Sequence, residues 1–382
     1  MHKLIVKRVW AEAPAHLAAG RDLLGCGVSS NKEALVALRA LQTNLAAVAG
    51  LLCIGAATPA AHSFVPVHRD NFPDAFVVPH GGGFIAYATN DGVNLPMLTS
   101  SDLVTWTPVM DPARPGERLD GLPELGAWAK EDFTWAPEVF EIGGRWLLYY
   151  TASSRKLDAQ CIGVAVADNP RGPFRDPLGQ HLICQEALGG TIDANVVQSE
   201  DGKHYLYYKN DGNRIRKPTA LWGQQLAADG LSVIGQPVQL LGDRERWKDR
   251  VIEAPTMVRS PGGYQMFYSA GYYGWNPEDR LSPYSMGYAN CTGPLGPCVD
   301  APDNPILHSF NDRESGCVSG PGHQSVFKGA GRTFVSFHAW AATPACRKLE
   351  DERYLYIAPL FWKDGKPQIG PSLRPRGASE PG

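Results

Sequence analysis

The sequence predicts an all-β chain folded as a five-bladed β-propeller with four antiparallel strands per blade. Three observations predict it. One unit recurs five times, about 55–70 residues apart, somewhat above the spacing of common propeller repeats. Each unit holds four strand-like segments. The composition, with Gly 41, Pro 31, Trp 10 and Tyr 14 among 382 residues, suits many short strands joined by tight turns. A lone four-stranded blade exposes both faces. Ringing five together buries them, as the apolar strands require.

Each unit opens on a polar residue, enters a short apolar strand, turns on glycine and returns. Asp74 opens Ala75-Phe76-Val77-Val78, and Gly81 to Gly83 lead into Phe84-Ile85-Ala86-Tyr87. Glu138 opens Val139-Phe140-Glu141-Ile142, then Gly143-Gly144 and Trp146 to Tyr150. Asp193 opens Ala194-Asn195-Val196-Val197, then Asp201-Gly202 and Tyr205 to Tyr208. Glu253 opens Ala254-Pro255-Thr256-Met257-Val258, then Gly262-Gly263 and Tyr264 to Tyr268. His323 opens Gln324-Ser325-Val326-Phe327, then Gly329 to Gly331 and Thr333 to Phe337. Third and fourth strands follow, as Met97 to Trp106 in the first unit and Cys161 to Ala167 with Gly172-Pro173-Phe174 in the second.

The propeller is expected over residues 62–370. Residues 1–61 read as a leader, with Leu45 to Ala57 as the apolar core of a signal peptide and small residues after it. Such a run is short for a membrane span. Residues 371–382, rich in Pro, Gly, Arg and Ser, read as a disordered tail. A secreted monomer with no membrane attachment in its mature form is expected. The net charge is −3 and no basic run occurs, so nothing would neutralise a nucleic acid's phosphates. Six of the eight cysteines fall in the propeller, and an even count with an export signal fits disulfides. Candidate pairs are Cys161 with Cys184, Cys291 with Cys298, and Cys317 with Cys346.

The first strand of each blade lines a propeller's channel, so Asp74, Glu138, Asp193, Glu253 and His323 are expected to converge at one end of the axis. Four carboxylates and a histidine around a funnel are costly unless used, paired or metal-bound. Glycosidic-bond hydrolysis uses such a set: a protonated acid, an ionised base or nucleophile, and a third group to tune the acid. The residues alone leave open which carboxylates these are. Phe72, Trp135, Tyr272, Tyr273, Trp275 and Trp340 suit the apolar face of a sugar, and Phe72 and Trp135 stand beside opening residues.

The ordered set Phe72-Pro73-Asp74, Trp135-Ala136-Pro137-Glu138, Ile192-Asp193-Ala194, Ile252-Glu253-Ala254-Pro255 and Gly320-Pro321-Gly322-His323-Gln324-Ser325-Val326 resembles glycoside hydrolase family 43 over about residues 64–370. These are five-bladed propellers acting on arabinose- and xylose-containing polysaccharides with inversion. The resemblance implies Asp74 as general base, Glu253 as general acid and Asp193 as the group that raises and orients the acid. It implies no organic cofactor, a calcium ion near His323 held through water, and a structural role for Glu138. Ala254-Pro255 follows the acid where the family often has Gly-Pro. The C-terminal sandwich of the family's longer β-xylosidases is not found, which favours an arabinan endo-1,5-α-L-arabinosidase or an α-L-arabinofuranosidase over a β-xylosidase.

Two other readings compete. A retaining fructan hydrolase would carry Arg-Asp-Pro at an opening strand; here Arg175-Asp176-Pro177 falls in an outer turn of the second unit. A non-catalytic sugar-binding propeller needs the aromatics but not acid, base and modulator together.

Overall fold

The computed structural model describes residues 64–275, 281–312 and 315–374. The expected leader, 1–61, and most of the expected tail lie outside these residues. What is described is the propeller, built of antiparallel sheets whose strands follow one another in chain order. The first blade is Phe76–His80, Gly83–Tyr87, Met97–Ser100 and Thr107–Pro108. The third starts at Thr191–Gln198, the fourth at Ile252–Ser260 and the fifth at Gly322–Gly329, each with four strands.

The second blade differs. It has three strands, Trp135–Ile142, Arg145–Ser153 and Gln160–Ala167. The expected fourth is reduced to a single bridge, Val166 to Arg175, with another from Ile162 to Ile183. Pro170, Pro173 and Pro177 crowd this segment, and proline has no N–H to give a ladder.

The hairpin turns follow from the glycine pairs. Gly143 and Gly144 take φ of 61° and 78°, the left-handed region that two-residue hairpin turns demand and side chains resist. The inner strands contact one another in sequence, and the fifth returns to the first. The two ends of the propeller close the ring on its last blade. His68 bridges Leu355, and the Val67 N–H donates to Leu355 O at 2.8 Å. Residues 371–374 are docked rather than frayed: Ser372 Oγ donates to Val65 O at 2.9 Å, and Leu373 N–H to Ile357 O at 2.7 Å.

A repeated device ties blade to blade. From the second strand of one blade a side chain reaches the outer turn of the next. Tyr87 donates to Pro170 O at 2.6 Å, Tyr149 to Gly230 O at 2.9 Å, Tyr207 to Pro294 O at 2.9 Å, and Gln265 to Gly365 O at 3.0 Å. A buried tyrosine hydroxyl needs a partner, and these carbonyls supply it. The three disulfides join Cys161 to Cys184, Cys291 to Cys298 and Cys317 to Cys346, the candidate pairs.

Candidate active site

A β-bulge recurs at the head of the inner strands. The ladder slips between Trp135 and Glu138, Ile192 and Asn195, Glu253 and Thr256, and Gly322 and Ser325. Inside each slip one residue is left-handed: Ala136, Asp193, Ala254 and His323, with φ of 45° to 61°. Asp74, φ 58°, takes the same conformation just before the first inner strand. Non-glycine residues seldom do this, and bulges commonly re-aim a side chain beside a functional site.

This geometry sets the five opening residues at different places relative to the bulge. Asp74, Asp193 and His323 share the left-handed position. Glu253 stands one residue before it and Glu138 two after. Glycine spacing alone did not reveal the slip. Glu138 lines an axial cavity of about 20 Å³ together with Asp74, His323, Asn195, Thr256, Gln324 and Ser325.

Asp74 is held as an anion. Its Oδ1 lies 3.1 Å from Arg353 Nη1, 3.3 Å from His323 Nδ1 and 3.2 Å from His338 Nδ1, and Oδ2 accepts from Thr89 Oγ1 at 2.5 Å. Burial works to raise its pKa, yet Arg353, with His323 beside it, keeps it well below the usual carboxylate range. Burial also drives His338 down to about 4, so that ring is neutral, and its Nδ1 accepts the Asp74 N–H at 3.1 Å.

Asp193 and Glu253 form a second group. Burial, with the Glu253 charge beside it, pushes Asp193 up to about 6. Asp193 Oδ2 accepts the Ala254 N–H at 2.9 Å, which anchors the bulge that carries Glu253. Glu253 Oε2 lies 2.8 Å from Lys209 Nζ, and Oε1 accepts from Tyr284 OH at 2.7 Å. Burial would raise Glu253 as well, but Lys209 and Tyr284 bring it below its ordinary value. The raised carboxyl is thus Asp193, where the sequence reading expected Glu253.

Glu138 is a buried acid. Burial lifts it well above its ordinary value, and Oε1 accepts from Val196 N–H at 2.9 Å and Asn195 Nδ2 at 3.2 Å. The axial cavity does not fit a directly bound calcium ion, which takes about six to eight oxygens. Asn195 Oδ1 is committed to the Met257 N–H, and Ser325 Oγ is the one cavity hydroxyl without a partner. Among the described residues no group of three or more His, Cys, Asp and Glu is placed to hold a metal.

At the mouth, Tyr272 and Tyr273 are 51% and 48% exposed. Arg353, on Asp74, also lies 5.7 Å from the Tyr273 ring and 6.0 Å from the Trp340 ring. Trp135 is half-buried with Phe133 edge-on at 6.4 Å, and Phe133 is the more exposed of the two. Phe72, expected as a sugar platform, is 2% exposed and packs in the core with its ring edge-on to His68 at 5.9 Å. Asp176 of Arg175-Asp176-Pro177 accepts from Trp128 Nε1 at 3.0 Å and Tyr150 OH at 2.8 Å, a packing role in blade two.

Cleaving a sugar–oxygen bond calls for one carboxyl group held ionised and another able to keep its proton, over a mouth that accepts a ring. The comparisons with known proteins agree with that chemistry, and the class is that of enzymes hydrolysing O-glycosyl bonds. Within it, the sequence model of glycosyl hydrolases family 43 matches residues 65–367, and the chain belongs to that family. An extracellular endo-α-(1→5)-L-arabinanase of Bacillus subtilis (strain 168) is 24% identical over 352 residues, covering 78% of this chain and 70% of that protein. A β-D-galactofuranosidase of Aspergillus niger is 26% identical over 282 residues, covering 70% and 71%. The crystal structure of a thermostable family-43 glycoside hydrolase superposes with a TM-score of 0.68 at 27% identity, over 83% of this chain and 99% of that one.

Lys209, Tyr284, Arg353 and His338 escaped the sequence reading. Lys209 left one signal, a charge ending the apolar strand Tyr205-Leu206-Tyr207-Tyr208.

Proposed function

We propose that this enzyme hydrolyses arabinose-containing plant polysaccharides with inversion, as an arabinan endo-1,5-α-L-arabinosidase or an α-L-arabinofuranosidase. Asp74 is the general base, Glu253 the general acid, and Asp193 the residue that places and tunes the acid. The observation carrying this reading is the contrast between Asp74, held ionised chiefly by Arg353, and the proton-holding group of Asp193 and Glu253. An inverting reaction needs both: a water activated on one face of the sugar and a proton delivered on the other. Asp74 takes the proton of the attacking water. Glu253 protonates the departing oxygen. Trp135, Tyr272 and Tyr273 offer the sugar apolar faces, and the Arg353 guanidinium lies between the Tyr273 ring and the base.

The match to an arabinanase supports the substrate. Secretion as a monomer, behind the leader of residues 1–61, belongs to the same reading, and the three disulfides support the secretion. A calcium ion near His323 enters it only as an ion held through water, and no step is routed through it. One equivalent retained by the purified protein would bring it in.

One experiment tests reaction and stereochemistry together. Arabinan, arabinoxylan, a fructan, a xyloside and a galactofuranoside are incubated with the protein and followed by proton NMR. Arabinose or arabino-oligosaccharides are expected from arabinan, with the inverted anomer appearing first. Retained anomer first, or release from the fructan or xyloside alone, overturns the assignment. No release from any polymer leaves a sugar-binding propeller.

A further inference from the structure

We infer that Lys209 decides which oxygen of Glu253 carries the transferable proton and holds the carboxylate left once that proton has gone. The inference deepens the proposed reaction and rests on Glu253 as its acid.

Lys209 is the last residue but one of the second strand of blade three, His204–Asn210, and its side chain is 1% exposed. Its Nζ reaches across to blade four, 2.8 Å from Glu253 Oε2, and lies 3.8 Å from Asp211 Oδ1. A buried ammonium is costly unless paired. Lys248, the other lysine hidden in the propeller, shows what structural pairing looks like. It meets Asp300 at 2.6 Å, the Gly242 carbonyl at 3.0 Å and the Tyr268 ring, away from the site. Lys209 instead spends its charge on the carboxyl groups of the site.

An ammonium has three donors and no acceptor, whereas a tyrosine hydroxyl both donates and accepts. Oε2 therefore faces only a donor and cannot aim a proton at it. Oε1 faces Tyr284 OH at 2.7 Å, which can yield. The proton of the acid form thus sits on Oε1. As the anomeric carbon–oxygen bond breaks, that proton passes to the departing oxygen. A water oxygen attacks the opposite face and gives its own proton to Asp74. Glu253 is left an anion beside a fixed cation, and Asp74 neutral. Solvent then restores both. The attraction between Lys209 and Glu253 grows as the proton leaves, so it is stronger in the transition state than before it.

The charged and titratable groups facing Glu253 are Lys209, Asp193, Asp211, Tyr284 and His323. Asp193 and Asp211, when ionised, resist its ionisation. Lys209, His323 and the Tyr284 hydrogen bond favour it. Lys209 is thus a positioning residue that makes the acid stronger and draws the alkaline limb of the pH profile downward.

The test is the pH dependence of kcat/KM on aryl α-L-arabinofuranosides, or on the aryl glycoside the substrate panel identifies, with good and poor leaving groups. Lys209→Met should move the alkaline limb upward by about 1–3 pH units, the effect of an opposite charge within about 4–6 Å. Its plateau kcat should fall at least about tenfold for poor leaving groups, little for good ones, with KM nearly unchanged. Lys209→Arg should restore the limb. A limb that stays in place in a folded Lys209→Met protein overturns the inference. If that variant fails to fold, Asp211→Asn decides. Freed of that carboxylate, Lys209 acts on Glu253 with less opposition, and the limb should move downward; no movement overturns the inference. Glu253→Ala separates the two assignments. Loss of activity on poor leaving groups with retention on good ones keeps Glu253 as the acid, and equal loss on both means the acid itself is misassigned.

Discussion

Asp193 sits between the two carboxyl roles, and its replacement separates placing from tuning. Asparagine keeps an oxygen able to accept the Ala254 N–H, so the bulge beneath Glu253 should hold. What disappears is a carboxyl group that holds a proton up to about pH 6 and, once ionised, opposes the ionisation of Glu253. With one of the two opposing carboxylates gone, the Glu253 pKa should fall. Asp193→Asn is thus expected to move the alkaline limb of kcat/KM downward by about one unit, worth about 1.4 kcal/mol of differential interaction. A limb that stays or rises would remove Asp193 as modulator. This shift is opposite in sign to that of Lys209→Met, so the two variants check each other. At this scale the opening residues were legible, because a polar group at the head of an apolar strand stands out. Their partners were not. Lys209 is 44 residues from Glu253 and Arg353 is 279 from Asp74, and nothing local announces either pair. Phe72 misled because adjacency to an acid does not say which way a ring faces.

The repeated bulge links element to site. Blade number, strand order and turns were readable from glycine spacing and apolar runs. The bulge was not, because it shifts register without changing composition. In blade five its leading residue is Gly322, and the reason is steric. A Cβ there would press on Cε1 and Cδ1 of Tyr284 and come within 3.0 Å of Ser269 Oγ. Tyr284 is fully buried and stacks 5.9 Å from His338, so it has no open side to retreat to. Gly322→Ala should therefore push Tyr284 from Glu253 Oε1 and lose about 1–3 kcal/mol of stability to overpacking. Tyr284→Phe removes the same hydrogen bond without the clash. Both should lower kcat about tenfold or more, but only Gly322→Ala should lower the melting temperature by several degrees. Wild-type kcat in Gly322→Ala would show that the ring relaxes elsewhere.

The described blades form a ring, and loops run outside their hydrogen-bonded strands. The disulfides guard three of them, and their pairing was readable because each was sought within one blade. Their loops differ in length: the bridged cysteines are 7, 23 and 29 residues apart. If restriction of the unfolded chain dominates, removing the shortest should cost about 2.4 kcal/mol and each of the other two about 3.5 kcal/mol. Function should not follow the same order. The bridge from Cys317 to Cys346 ties the hairpin Phe310–Asp312 and Gly316–Val318 to the turn beyond Trp340. Trp340 in turn donates to Tyr273 O at 2.8 Å and accepts no slack on the other side, where its N–H bonds Ser319 O at 2.9 Å. Loosening that bridge should unsettle the aromatic mouth while leaving Asp74, Asp193 and Glu253 on their inner strands. Replacing Cys317 and Cys346 by serine is thus expected to raise KM for polymeric substrate severalfold with kcat nearly kept. The same change at Cys291 and Cys298, whose bridge joins the outer strands of blade four, should lower the melting temperature least and leave both constants alone. Kinetics beside thermal unfolding for the two double variants decide it. Equal kinetic effects from both would mean that the bridges act on the ring as a whole rather than on its mouth.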